Sequence, residues 1–185
     1  LIAPSWGSKN CLIVYGVQFI KQLANLKYRI IIRPHPQSLK VEKEFIQTIQ
    51  SELKDFDNIL FDFDIDGSES MRQADLLISD KSSIRFDFAF LYEKPVLTLD
   101  IPLKDLSVYE ASIVGQLWEE SHSEQLGIRL TPDQKSEIVI AVKKALDITP
   151  QDIRSFREST IQNWGHSAEA IADWTLNKVK ELRKL

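Results

Sequence analysis

Residues 74–90, reading Ala, Asp, Leu, Leu, Ile, Ser, Asp, Lys, Ser, Ser, Ile, Arg, Phe, Asp, Phe, Ala, Phe, restrict the fold more than any other stretch. Leu76, Leu77 and Ile78 form an uninterrupted apolar run, as in a parallel strand with both sheet faces covered, and Ile84 to Leu91 is apolar enough for a packed helix. Between them lie Ser79, Asp80, Lys81, Ser82 and Ser83. A strand's carboxyl end therefore meets a helix's amino end. Free backbone N–H groups, the hydroxyls of Ser82 and Ser83 and the ammonium of Lys81 can converge there on one anion. A plainer reading competes: Ser82 or Ser83 caps the helix and Lys81 is a solvated turn residue. Both stay open in this stretch alone.

The remaining chain repeats the alternation. Leu1 to Ala3 reads as a strand ending at Pro4, followed by a turn of Ser5, Trp6, Gly7 and Ser8. Leu12, Tyr15, Phe19, Leu23 and Leu26 keep one helical face, with Gly16 weakening that helix without breaking it. Tyr28 to Ile32 is a strand that delivers Arg33, Pro34, His35 and Pro36, where two prolines fix the backbone around one histidine. Phe45, Ile49, Leu53 and Phe56 mark the next helix, and Ile59 to Phe61 the next strand. An acidic, polar stretch from Asp62 to Ser70 leads into a short helix around Glu69 to Gln73, and Pro95 to Leu99 is a further strand. Residues 100–130 carry no legible detail beyond a candidate short element around Ile113, Val114, Leu117 and Trp118. Thr131 and Pro132 open a helix to about Leu146 and Pro150 opens another. A last helix from about Ser167 places Ala168, Ile171, Ala172, Thr175, Val179 and Leu182 on one face.

This order predicts an α/β fold: a Rossmann-like, mostly parallel sheet with helices on both faces and right-handed crossovers, forming one domain over residues 1–185. Leu1 to Ala3 read like the inside of a strand with no Met before them, so the expectation is the carboxy-terminal part of a longer protein. With 43% hydrophobic residues such a domain has a core that stands without staples. Lys and Arg total 23 against 27 Asp and Glu, scattered rather than gathered in a stripe, which argues against nucleic acid as a partner. The single Cys11 forms no internal disulfide, and the three histidines show no metal-ligand spacing with it. No apolar run approaches the roughly 20 residues that span a bilayer. Together these features describe an intracellular, metal-free chain. Neither a Gly-x-Gly-x-x-Gly fingerprint nor a Walker lysine motif is present, which weighs against dehydrogenases and ATPases.

In such folds ligands bind beyond the carboxyl ends of the strands, where three polar turns fall: Ser5 with Trp6, Arg33 to Pro36, and Ser79 to Ser83. Arg33 can grip a phosphate and His35 can donate a hydrogen bond or move a proton, or Arg33 simply pairs with a nearby Asp. Asp87, four residues after Ser83, either orients the serine hydroxyls or is a surface carboxylate. Trp6 stacks on a base or plugs its loop. His166, beside Gly165, reads as a helix cap, and Cys11 as a small packed residue.

Taken together, Ala3 to Trp6, Arg33 to Pro36, Ala74 to Ser83, Asp87, and Lys94, Pro95 and Val96 resemble the carboxy-terminal half of the CDP-glycerol glycerophosphotransferase family, which includes teichoic acid polymerases. The resemblance covers roughly residues 1–100, and the closing helices are compatible with it. It implies a GT-B architecture, two Rossmann-like domains facing a cleft, with this chain as the half that binds a nucleotide-activated donor such as CDP-glycerol. Neither metal nor other cofactor is implied. The partners implied are that donor, a polymer or lipid-linked acceptor and an amino-terminal domain, in a cytoplasmic protein at the inner face of the cell membrane. Carried over by position, Arg33 and His35 would contact the donor pyrophosphate, with His35 assisting the leaving nucleotide phosphate. Ser82 and Ser83 would hold phosphate or the transferred group, with Asp80 and Asp87 holding the site together and Ser5 and Trp6 supporting it. Lys81 stands where the family usually has Tyr; its ammonium adds a charge near the phosphates and leaves the donor's identity open. The family's second catalytic histidine belongs to the other domain. Two alternatives remain: a nucleotide-sugar-dependent GT-B glycosyltransferase, and a non-catalytic binding domain that keeps the fold.

Overall fold

Three- and four-residue strands organise the structure, a computed structural model that describes residues 1–101 and 118–183. They are β1 (Ile30–Ile32), β2 (Ile59–Phe61), β3 (Leu77–Ser79), β4 (Val96–Leu99) and β5 (Gly127–Leu130), and every pairing among them is parallel. β1 pairs with β2 in one short sheet, and β3, β4 and β5 make another. Ile2 joins the two, bridging Ile32 on one side and Ile78 on the other. Its N–H donates to Ile31 O at 2.7 Å, its carbonyl accepts from Arg33 N at 2.8 Å, and Ala3 N donates to Ile78 O at 3.0 Å. The amino-terminal segment is thus the central rung. From it the chain winds outward to β1 and β2, then returns across the rung to β3, β4 and β5. That reversal, between Ala3 and Ser79, is the switch point at which open parallel sheets bind ligands.

The strand side chains alternate between two cores, as a period of two requires. Ile30, Ile32, Ile78, Leu97 and Leu99 face a cluster built with α1 (Cys11–Tyr15), α2 (Gln18–Asn25), α4 (Lys43–Leu53) and α8 (Ile138–Leu146). Leu77 and Val96 face the opposite cluster, with α6 (Ile84–Tyr92) and Ile153 of α9 (Pro150–Thr160). Helices therefore cover both faces, as the sequence predicts. Shorter elements complete the chain: α3 (Ser38–Val41), α5 (Ser68–Gln73), α7 (Trp118–Ser121), and 3-10 turns at Ser123–Leu126 and Pro132–Glu137. Thr149 and Asp152 close a capping box on α9, with Pro150 in its first turn.

Four expectations need correction. The single helix expected over Leu12 to Leu26 is two, because Gly16 turns the backbone to φ 69° and ends α1. The helix expected from Thr131 starts as a 3-10 turn behind a Thr131–Gln134 capping box and becomes α-helical only at Ile138. His166 precedes α10 (Ser167–Leu182) but makes no side-chain cap; its Nδ1 lies 3.2 Å from Glu169 instead. The apolar face of α10 exists as a pattern, yet no residue of that helix is buried. The stretch left unassigned contains β5, where a Cβ on Gly127 would lie 2.0 Å from Val96 O, so only glycine lets that strand begin against β4. Ile113, Val114 and Leu117 lie outside the described residues, and Trp118 opens α7.

Candidate functional site

Asp80 is the hub of the switch point. β3 ends at Ser79, whose hydroxyl donates to Ala3 O at 2.5 Å, and the next residue turns its carboxylate under the Ser5 loop. Oδ1 accepts from Ser5 N at 3.0 Å and Oδ2 from Cys11 N at 2.8 Å, with the side chain wholly buried. One carboxylate thus holds the amino-terminal turn and the first turn of α1 beside the exit of β3. Burial, joined by this carboxylate, pushes the Cys11 thiol well above its ordinary range, as befits a packed residue.

Beyond Asp80 the chain enters α6. Ser82 N donates to Asp80 O at 2.8 Å, and Ser83 is the N-cap residue, but its backbone is helical and its side chain makes no cap bond. Among the described residues neither the Ser82 nor the Ser83 hydroxyl has a hydrogen-bond partner, and the N–H groups of Ser83 and Ile84 are likewise unengaged. The capping use weighed for these serines is therefore not what the structure contains. Asp87 is exposed, and its carboxylate bonds to neither hydroxyl.

Lys81 turns away, toward the exits of β4 and β5. Its Nζ lies 3.5 Å from Asp100 Oδ1 and 3.7 Å from Glu120 Oε2. Arg85, in the first turn of α6, donates to Ser82 O and pairs with Glu120 at 3.0 Å, while Arg129 of β5 pairs with Asp100 at 3.0 Å. Three cations and two carboxylates so form one network that fastens α7 beside the hinge. Trp118 of α7 sits 5.0 Å from the ring of Phe86 and stacks on His122 at 4.6 Å.

On the other side of the switch point stands His35. Its Nδ1 accepts from Gln37 N at 3.0 Å, which leaves the ring proton on Nε2. The ring is half-buried, 6.5 Å from that of Trp6, which is 43% exposed. Arg33 is directed elsewhere. Its Nη1 donates to Asp62 Oδ2 at 2.7 Å, and its Nη2 to Asp64 O at 2.6 Å and Ile65 O at 3.0 Å. Pairing with a nearby Asp, the plainer of the two sequence readings, is thus present in the structure. Burial raises the Asp62 carboxyl, but hydrogen bonds from Ser70, the Asp64 amide and Arg33 outweigh it and hold the group below the usual range. The stability this contributes is complete at neutral pH and is lost as pH falls through the lowered value.

Sequence reasoning names the residues of three turns but misses Asp62, Arg85, Asp100, Glu120 and Arg129. The signal for Asp62 is only that it directly follows a strand, as Arg33 does; that the two leave the sheet side by side comes from the register of Ile32 with Phe61. Arg85 is the one basic residue inside the largely apolar run of α6, another sign of a buried partner.

The turns that converge at the switch point are those on which the family resemblance rests. The sequence model of the CDP-glycerol:poly(glycerophosphate) glycerophosphotransferase family matches residues 2–163. The chain belongs to that family. The matched span takes in the sheet and both cores, and ends before α10. Comparison with curated proteins and with solved structures finds no match. Membership makes the chain part of a transferase family; His35, Asp80, Ser82 and Ser83 lie within the matched residues 2–163. Among the described residues, no helix is long and apolar enough to cross a membrane, and no cluster of His, Cys, Asp and Glu is arranged to hold a metal ion.

Proposed function

We propose that this chain is the donor-binding half of a GT-B CDP-glycerol glycerophosphotransferase that serves cell-surface polymer synthesis at the inner face of the membrane. The observation that carries the proposal is the uncapped amino end of α6, where two serine hydroxyls and two backbone N–H groups are unengaged at the switch point of a family member. A helix amino end with free donors favours an anion, and the donor's pyrophosphate is one. In the reaction, an acceptor hydroxyl attacks the phosphorus bearing glycerol, in line with the oxygen that bridges the two phosphates. The bridging P–O bond breaks, CMP departs with the electron pair, and the hydroxyl proton is lost to base. His35, its proton on Nε2, donates a hydrogen bond to the departing phosphate, while the α6 amino end stabilises charge on the pyrophosphate. Asp80 keeps these groups in place without touching the ligand, and Trp6 and Ser5 line the nucleotide side. Lys81, held by Asp100 and Glu120, contributes a more distant positive charge. The acceptor, polymeric or lipid-linked, approaches from an amino-terminal domain across the cleft.

Calorimetric titration of the chain with CDP-glycerol, CMP, UDP and a UDP-sugar tests this. Binding of CDP-glycerol and, more weakly, CMP is expected, with no transfer to an acceptor by this chain alone. Preference for the uridine ligands would assign a nucleotide-sugar transferase instead, and no binding of any nucleotide would assign a non-catalytic domain.

A further inference from the structure

We infer that Arg33 is a positioning residue that fastens the exits of β1 and β2 and thereby sets His35, rather than a ligand to the donor phosphate. The effect on nucleotide binding rests on the donor-site reading above; the effect on His35 does not. The sheet gives these exits little hold, since β1 and β2 are three residues each and their register ends at Ile32 with Phe61. Past that point one backbone bond, Asp62 N to Ile32 O at 2.9 Å, continues the pairing. The guanidinium of Arg33 supplies the rest. It reaches across to Asp62 and then to the carbonyls of Asp64 and Ile65, drawing the acidic loop 62–67 around itself. Ser70 donates to the same oxygen of Asp62, and Asp64 N donates to the other at 2.9 Å, so loop and guanidinium form one closed set.

The directions of the bonds argue against a phosphate role. Bidentate recognition of an oxyanion uses two parallel N–H groups, either Nη1 with Nη2 or Nε with Nη2. Both hydrogens of Nη2 are already given to Asp64 and Ile65. The Nε edge is closed as well, because a Cβ on Gly67 would lie 2.6 Å from Nε. With the residue 8% exposed, neither fork faces a ligand. His35 stands two residues further along, where Pro34 transmits the setting of the strand exit to the turn that gives Gln37 N to Nδ1.

The imidazole nitrogen shifts of His35 read this directly in the ligand-free chain, alongside CDP affinity at two salt concentrations. Arg33→Lys, Asp62→Asn and Gly67→Ala are compared, each confirmed folded by circular dichroism, so that a variant lost to misfolding leaves two others. The parent is expected to show the Nε2–H tautomer alone, and the variants a mixture, with faster exchange of the Asp64 and Gln37 amides. CDP affinity should fall about tenfold in each, the order of a lost bond to a charged group. Arg33→Lys with Asp62→Asn should be no worse than either alone, and the salt dependence of CDP binding should be unchanged. Unaltered imidazole shifts in the folded variants would overturn the inference. So would tighter CDP binding by Asp62→Asn, since freeing a phosphate ligand has that effect. Should the parent bind no CDP, the donor-site reading fails, and the imidazole shifts still decide the role of Arg33.

Discussion

Asp80→Ala is expected to cost about 3–5 kcal/mol of folding stability, a large share of the roughly 5–15 kcal/mol that a domain of this kind has. The carboxylate is fully buried and takes two backbone N–H groups, those of Ser5 and Cys11. Alanine leaves the buried Cys11 N–H and the part-buried Ser5 N–H without their partner, and each orphaned group costs about 1–3 kcal/mol. It also frees the amino-terminal turn, whose segment bridges the two sheets through Ile2. Asp80→Asn keeps one acceptor and should fall between parent and alanine. Urea denaturation monitored by circular dichroism checks the series; a loss below about 1 kcal/mol for Asp80→Ala would remove Asp80 from the centre of the fold.

His35→Ala acts on chemistry instead. With the acceptor-side domain supplied, the transfer rate should fall by about 10²–10³, the usual worth of one hydrogen-bond donor to charge developing in a transition state. Little stability should be lost, since His35 is half-buried and, among the described residues, its side chain makes one hydrogen bond, with Gln37 N. Unlike Asp80→Ala, the variant should melt near the parent. Full transfer by a folded His35→Ala protein would exclude the histidine from the reaction.

Why the turns are legible and their wiring is not follows from the range of the forces involved. Strands such as β3 are announced by apolar runs, here Leu76 to Ile78, because both faces are covered, and the polar residues after them mark where the sheet ends. Which partner a charged residue takes depends on register, a long-range property; Arg33 and Asp62 are 29 positions apart and meet only because β1 and β2 are adjacent. β5 is hidden in the sequence because its strand, Gly127 to Leu130, begins with glycine and carries Arg129, whose charge is met by Asp100. The break at Gly16 is hidden for another reason: Tyr15 and Phe19 keep helical spacing across it, and both are buried on the same core. For the serines, sequence left capping and anion binding equally open, and only side-chain geometry separates them.

In the proposed reaction the hinge at Ser82 and Ser83 is an anion seat. It is tested most directly by changing both serines to alanine and measuring the affinities of CDP and cytidine by calorimetry, together with the melting temperature. With no cap bond to lose, the change should leave stability nearly untouched. CDP affinity should drop about tenfold or more while that of cytidine stays the same, because the nucleoside has no anion for the α6 amino end to hold. A lowered melting temperature with both affinities unchanged would contradict the account: the serines would then serve the helix, and the switch point would hold no phosphate.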